Sequence, residues 1–180
     1  MNPRMVFIIF NIFIVILALF LVFKMNGEYG KVIHGASWDA KVFGNKYVVS
    51  LKNNSEIVEA LTDFVKTQDI KAGTISGLGA VNSVTLRFFN PETKQYEDKT
   101  FNEQMEISNL IGNISTKDGK EYLHLHITLG NSEYKSIAGH LLKATINGAG
   151  EFVVEAYQNA KIERKFDSNT GLNIYNFEEK

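Results

Sequence analysis

Three histidines in the second half of the chain have the spacing of a metal site: His124, His126 and His140. The residues around the first two alternate strictly, with leucine or isoleucine at every second position from Leu123 to Leu129. This alternation predicts a β-strand that packs its aliphatic face into a core. The two histidines then share the opposite face, about 6–7 Å apart at Cα, and their ring nitrogens can converge on one ion at about 2.0–2.1 Å.

The third histidine completes a set that suits a divalent ion. Thirteen residues separate His140 from His126, which is enough for a turn and a returning strand, and Gly139 leaves room for a close approach. Three neutral imidazoles with an open fourth position are typical of catalytic rather than structural zinc. Two alternatives stay open: an anion site, and a chance pair of histidines on a solvated strand. His34 has no partner nearby, and we expect it to be a surface residue.

The composition describes one folded domain. The chain has 180 residues, a formal net charge of −1, 44% hydrophobic residues and no cysteine. The apolar content is enough for a single core. The near-neutral charge offers no general attraction for nucleic acid, so we expect no nucleic-acid partner. Without cysteine, there is no disulfide, and a metal site must use histidine, carboxylate or water.

Residues 1–26 differ from the rest of the chain. Met5 to Phe23 is a run of nineteen residues in which only Asn11 is polar, and a helix of this length spans about 28 Å, close to the hydrocarbon core of a bilayer. We therefore expect an uncleaved single-pass membrane anchor. The alternatives are a cleaved signal peptide, which would leave an exported soluble protein, and a buried helix. Basic residues flank the run on both sides, so its orientation is open. Residues 27–45 are expected to be a linker.

Residues 46–180 have the pattern of one helix followed by many strands. Residues 46–52 predict a strand, and apolar residues at helical spacing predict an amphipathic helix over 55–68. Besides the strand that carries His124 and His126, further strands are predicted at 72–81, 84–89, 95–101, 105–115, 136–142, 152–157 and 161–166. One early helix followed by strands indicates an α+β fold with a mainly antiparallel sheet.

The first strand and helix, followed in order by five sequence segments, carry a family resemblance. After the first strand and helix come GTISGLGAVNSVTL, MEISNLIGNIS, LHLHITL, AGHLLKATINGAGEFVV and RKFDSNTGLNIY. Over residues 42–176 this order resembles the plants-and-prokaryotes conserved (PPC) domain. The resemblance implies a compact domain that assembles as a homotrimer, with a fold related to acetolactate decarboxylase, which holds zinc through three histidines. It places the HxH and GH motifs of the family on His124, His126 and His140, and its acidic residue on Glu106.

The function expected from these features is a membrane-tethered PPC domain with zinc, or another divalent ion, at the three histidines. The resemblance to acetolactate decarboxylase implies a small oxo- or hydroxy-acid as its ligand, and any activity is expected to be lyase- or hydrolase-like. Glu106 is the candidate general acid or base. Arg87 is a candidate carboxylate binder, although a surface strand arginine is the commoner case. The alternatives are a non-catalytic trimeric module and, least favoured because no AT-hook segment is present, a DNA-binding protein like the plant relatives.

Overall fold

A computed structural model of the chain describes residues 7, 10, 11, 13–15 and 29–178. Within residues 29–178 it contains one helix and ten strands. In chain order these are β1 (Val32–His34), β2 (Trp38–Phe43), β3 (Lys46–Leu51), α1 (Ile57–Thr67), β4 (Gly73–Asn90), β5 (Gln95–Phe101), β6 (Met105–Lys117), β7 (Lys120–Gly130), β8 (Ser136–Ala156), β9 (Glu163–Asp167) and β10 (Leu172–Asn176). The fold of these residues is α+β.

The strands form one mainly antiparallel sheet around two long central strands, β4 and β8. The main path runs β1-β2-β3-β8-β4-β6-β9-β10, while β5 pairs with β4, and β7 pairs with both β6 and β8. The pairings β4–β6, β6–β7, β7–β8 and β8–β4 therefore close on themselves as a ring. The strand β9 joins β6 through a short parallel pairing between Thr116 and Glu163. This ring brings β7, which carries the first two histidines, against β8, which carries the third.

Helix α1 covers one side of the sheet because its apolar stripe has no other place to be buried. Glu56 caps its first turn by accepting hydrogen bonds from the backbone N–H groups of Val58 and Glu59. A third backbone N–H, from Ala144 on β8, donates to the same carboxylate and ties the helix start to the sheet. The stripe consists of Ile57, Ala60, Leu61, Phe64 and Val65, all buried. Its packing against β7 and β8 fixes which face of those strands is left outside.

Two parts of the chain differ from the expected elements. The segments predicted as separate strands, 72–81 with 84–89 and 136–142 with 152–157, are continuous in β4 and β8. Register shifts bend these strands without ending them, and one shift falls at Gly79, whose φ of 150° suits glycine. In addition, residues expected to be a linker form β1 and β2, and Trp38 at the start of β2 is only 1% exposed.

The predicted transmembrane anchor is not supported. No helix among the described residues is both long enough and apolar enough to cross a bilayer. Of the run from Met5 to Phe23, only residues 7, 10, 11 and 13–15 belong to the described part of the chain, and all of them are helical. The remainder of that run, and with it the alternative of a signal peptide, lies outside the described residues. The single-pass membrane location is corrected accordingly.

Candidate metal centre

The pleat of β7 determines where the first two histidines point. Leu125 and Ile127 are each 1% exposed and face the core beneath helix α1. Because side chains alternate along a strand, His124 and His126 lie together on the outer face. His140 on β8 is paired directly opposite His126, so all three imidazoles share this face. The burial of two aliphatic side chains thus sets the direction of the candidate ligands.

The three rings are close enough to bind one ion. One ring nitrogen from each of His124, His126 and His140 lies within 4.8 Å of the other two. The Nε2 atoms of His124 and His126 are 3.3 Å apart. A tetrahedral ion with nitrogen ligands at 2.0–2.1 Å requires ligand atoms about 3.3 Å apart. The donor set and its spacing therefore fit a tetrahedral ion with three histidine ligands and one open position.

The environment keeps two of these rings neutral near pH 7. Burial, followed by the neighbouring imidazoles and Arg87, lowers the pKa of His140 to about 4. The pKa of His124 is also lowered, first by burial and then by the positive charge of Arg164. A neutral imidazole offers the lone pair that a metal needs, whereas a protonated one repels the ion. The lowered pKa values therefore favour metal binding at pH values where ordinary histidines begin to protonate.

The three histidines stand at the wall of an open cleft of about 620 Å³. This volume falls in the usual range for small-molecule sites. Besides the histidines and Gly139, the cleft is lined by Arg87, Phe88, Phe89, Tyr96, Asn113, Tyr122, Arg164, Leu172, Asn173, Ile174 and Tyr175. Five of these side chains are aromatic and two are guanidinium groups. The cleft therefore offers a large apolar wall and positive charge beside the candidate ligands.

The two arginines of the cleft have different partners. Arg87 donates two hydrogen bonds to the carboxylate of Asp98, at 2.7 and 2.8 Å, and its guanidinium lies 4.8 Å from the ring centroid of Tyr96. Arg164 comes from the C-terminal hairpin of β9 and β10, and its guanidinium lies over the rings of Tyr122 and Tyr175. Sequence patterns pointed to Arg87 and missed Arg164. The only signal for Arg164 was the turn-rich stretch after it, which is typical of a hairpin.

The other residues singled out from the sequence lie apart from the cleft. Glu106 on β6 is opposite Gly130, four residues along β7 from His126 and thus about 13 Å away. It shares the outer face but does not line the cleft of its own chain. Its role as a general acid or base stays a prediction. His34 is at the surface, where its ring contacts Asp39 at 2.6 Å and its side chain is 69% exposed.

Several solved structures have a fold similar to this chain, but they are described by different properties. A proposed DNA-binding protein from Bacteroides thetaiotaomicron is 57% identical, with a TM-score of 0.77 over 79% of this chain and 99% of that chain. A metal-containing protein from Archaeoglobus fulgidus is 31% identical, with a TM-score of 0.70 over 78% and 99%. A plant- and prokaryote-conserved protein from Pyrococcus horikoshii is 28% identical, with a TM-score of 0.68 over 82% and 100%.

Acetolactate decarboxylase from Bacillus subtilis strain 168 aligns more weakly, with 10% identity and a TM-score of 0.45 over 72% of this chain and 69% of that chain. A likeness at this level carries no argument about function. A comparison with curated protein sequences gave no match. The model of the Plants and Prokaryotes Conserved (PCC) domain matches residues 39–158, a shorter span than the 42–176 suggested by the motifs. The chain therefore belongs to the plants-and-prokaryotes conserved domain family, abbreviated PCC or PPC.

Proposed function

We propose that this PPC domain binds one divalent metal ion, with zinc the best match, and uses it to bind a small oxo- or hydroxy-acid. The observation that carries the proposal is the convergence of three imidazole nitrogens within 4.8 Å at the wall of a cleft. Nitrogen ligands and tetrahedral spacing suit zinc better than magnesium or calcium, which prefer oxygen. The Archaeoglobus fulgidus relative, described as metal-containing, lends the metal further support.

The bound ion would polarise a carbonyl group or lower the pKa of a water molecule at its open position. The residues of the chain would supply the rest of the site. The rings of His124, His126 and His140 would hold the ion, and the aromatic wall would exclude water from the ligand. Glu106 is too far from the histidines of its own chain to transfer a proton there, so its proposed acid-base role requires a neighbouring copy to bring it to the cleft.

Metal analysis of the purified full-length protein tests this proposal. We expect about one zinc per chain after dialysis, and loss of most of it in His124→Ala, because two imidazoles make a weak site. His34→Ala is the matched control, since it removes an exposed histidine whose ring contacts Asp39 and which lies outside the three-histidine group. Equal zinc content in His124→Ala and the unmodified protein would reject the proposed ligands.

Self-association is the second part of the proposal. Four large apolar side chains are exposed on the outer face of the sheet: Val48 (50%), Leu78 (56%), Ile111 (57%) and Val153 (43%). Cross-strand pairs connect Val48 to Val153 on β8 and Ile111 to His126 on β7, so this apolar face runs up to the candidate metal centre. Burial of such a face between copies would be favourable. The number three comes from the resemblance to the family, and we propose a homotrimer.

Sedimentation of the full-length protein tests the assembly. Ile111→Lys places a charge in the apolar face and is expected to shift the protein toward monomer. Tyr134→Lys is the control, because Tyr134 is 95% exposed in the turn between β7 and β8. If the unmodified protein sediments as a monomer at micromolar concentration, the proposed homotrimer is wrong.

Two alternative functions remain distinguishable by experiment. A non-catalytic assembly module would form trimers without a stoichiometric metal ion. The name of the Bacteroides thetaiotaomicron relative favours the second alternative, a DNA-binding protein. Against it stand the net charge of −1 and the scattered positions of the basic residues, which limit how many phosphates one chain can neutralise. Salt-sensitive binding to duplex DNA would make DNA binding the favoured function.

A further inference from the structure

The two guanidinium groups of the cleft differ in whether their charge is compensated. The charge of Arg87 is neutralised within its own sheet by the two-bond contact with Asp98. Arg164 has no carboxylate partner among the described residues. Its hydrogen bonds go to three neutral acceptors at 2.8 Å: Ser115 Oγ, Asn113 Oδ1 and the backbone oxygen of Asn173. A part-buried cation with neutral partners leaves an electrostatic deficit that an anionic ligand would fill.

The contacts of Arg164 also hold it in one orientation. Its guanidinium carbon lies 5.0 Å from the ring centroid of Tyr122 and 4.4 Å from that of Tyr175. Its Nε–H donates to Ser115, and each terminal nitrogen donates one hydrogen bond within the described chain. A guanidinium has five N–H groups, so one N–H on each terminal nitrogen is not used by these three hydrogen bonds. Two N–H groups therefore remain, and the two oxygens of a carboxylate can accept one hydrogen bond from each. An arginine held this way loses little side-chain entropy when a ligand binds.

The position of Arg164 relates it to the candidate metal centre. It bonds the side chain of Asn113, and Asn113 is the residue on β6 that pairs with His124. The guanidinium therefore lies about one strand spacing from a candidate metal ligand, within the reach of a small bifunctional molecule. The remaining wall of the cleft is half aromatic, with two aliphatic side chains beside the rings, and its one further charge, on Arg87, is compensated by Asp98. Such a wall suits a planar or aromatic ligand body rather than a sugar or a second charged group.

We propose that Arg164 selects anionic ligands in this cleft by binding the carboxylate of an acid. The oxo or hydroxy oxygen of that acid reaches the metal, and its planar apolar body lies on the aromatic wall. The ligand class is thus an aromatic or similarly apolar 2-oxo or 2-hydroxy acid. This inference rests on the proposed metal function, but it assigns a residue and a ligand class that the three histidines do not specify.

Titration calorimetry on the zinc-loaded full-length protein tests it with two matched probes. Phenylpyruvate carries the carboxylate, the oxo group and the ring, and phenylacetone has the same ring and oxo group without the carboxylate. Charge-assisted hydrogen bonds of the kind expected here correspond to a difference in affinity of about 10- to 100-fold. We expect phenylpyruvate to bind that much more tightly than phenylacetone, and this comparison needs no variant.

Variants then assign the difference to one residue. Arg164→Gln should abolish the preference for phenylpyruvate, and Arg164→Lys should retain part of it. Lys165→Gln is the control, because it removes the same charge from the same hairpin, on the opposite face of β9, where Lys165 pairs with Glu178. The zinc content should be equal in all four proteins, which separates a lost carboxylate contact from a lost metal site.

The outcomes separate this inference from the proposed function. Zinc binding with equal affinities for the two probes, or with a preference that Arg164→Gln leaves intact, overturns the inference and leaves the metal function standing. A preference that depends on Arg164 in a protein that binds no zinc keeps the carboxylate assignment and overturns the metal function. A protein that binds neither zinc nor phenylpyruvate overturns both.

Discussion

Acidification of the metal-free protein should weaken the fold between pH 6.5 and pH 4, through His140. The pKa of His140 is lowered from 6.5 to about 4, chiefly by burial. Within this window the unfolded chain binds a proton on this residue that the native state does not. The free energy of unfolding therefore rises with pH across the window, and it falls as the pH is lowered. The lowered pKa of His124 acts in the same direction.

The size of this effect follows from the pKa of His140. At full weight, a change from 6.5 to about 4 corresponds to about 3 kcal/mol. The side chain is only part-buried, and solvent screening reduces the contribution, so we expect about 1–2 kcal/mol. Carboxylates with lowered pKa values lose their stabilising contribution as the pH falls below their ordinary pKa, which is 3.8 for Asp98 and 4.5 for Glu121, at the lower end of this window or beyond it. Both proteins compared below carry these carboxylates, so their contribution cancels in the difference.

Urea unfolding in the presence of a chelator, at pH 7.0 and at pH 4.5, measures the difference. The unmodified protein should lose about 1–2 kcal/mol more than His140→Gln, which cannot titrate at this position. Parallel losses in the two proteins would show that His140 ionises normally in the native state, and the argument from burial would then be wrong.

Three further results are expected. Gly112→Ala should destabilise the protein by about 1–3 kcal/mol, because a Cβ there would lie 2.4 Å from the backbone oxygen of His124. Gly130→Ala should be close to neutral, because the nearest atom to its Cβ would be 3.7 Å away, and urea unfolding compares the two variants. Zinc at 100 times its Kd should raise the unfolding free energy at pH 7 by about 2.7 kcal/mol, and by less at pH 5, where protons compete for the imidazoles. A gel-shift titration of the full-length protein should show no binding to duplex DNA at physiological salt, and sub-micromolar, salt-sensitive binding would contradict this.

The convergence of the three histidines was largely predictable because its main determinant is local. Alternation from Leu123 to Leu129 places His124 and His126 on one strand face, whatever the rest of the chain does. The third candidate ligand, His140, was inferred from the spacing and the turn that a returning strand needs. The structure brings His140 opposite His126 in the β7–β8 pairing. Helix α1 was predictable for a similar reason, since its apolar stripe repeats within one short segment.

The long strands show where local patterns fail. The glycine-rich segment 72–81 predicts a strand that ends in a turn before a second strand at 84–89, because glycine is common in turns. In the sheet the same glycines allow a bulge and a close approach of β8, and Gly79 would place a Cβ 2.3 Å from the backbone oxygen of Ala149. Whether such a stretch turns or bends depends on the strands that pair with it. That pairing is a long-range contact without a local signal.

Sequence by itself determined the strand that carries the histidines, their shared face, the helix and the family. Tertiary structure alone decided what surrounds them. Arg164 reaches the cleft because β9 joins β6 beside Thr116, far from the histidines in the chain. Glu106 stays about 13 Å away although it shares their sheet face. The periodicity of apolar residues indicates which side of a helix or strand is buried. The distance between two elements depends instead on how the ring of strands closes, and only the packing of the whole core determines that closure.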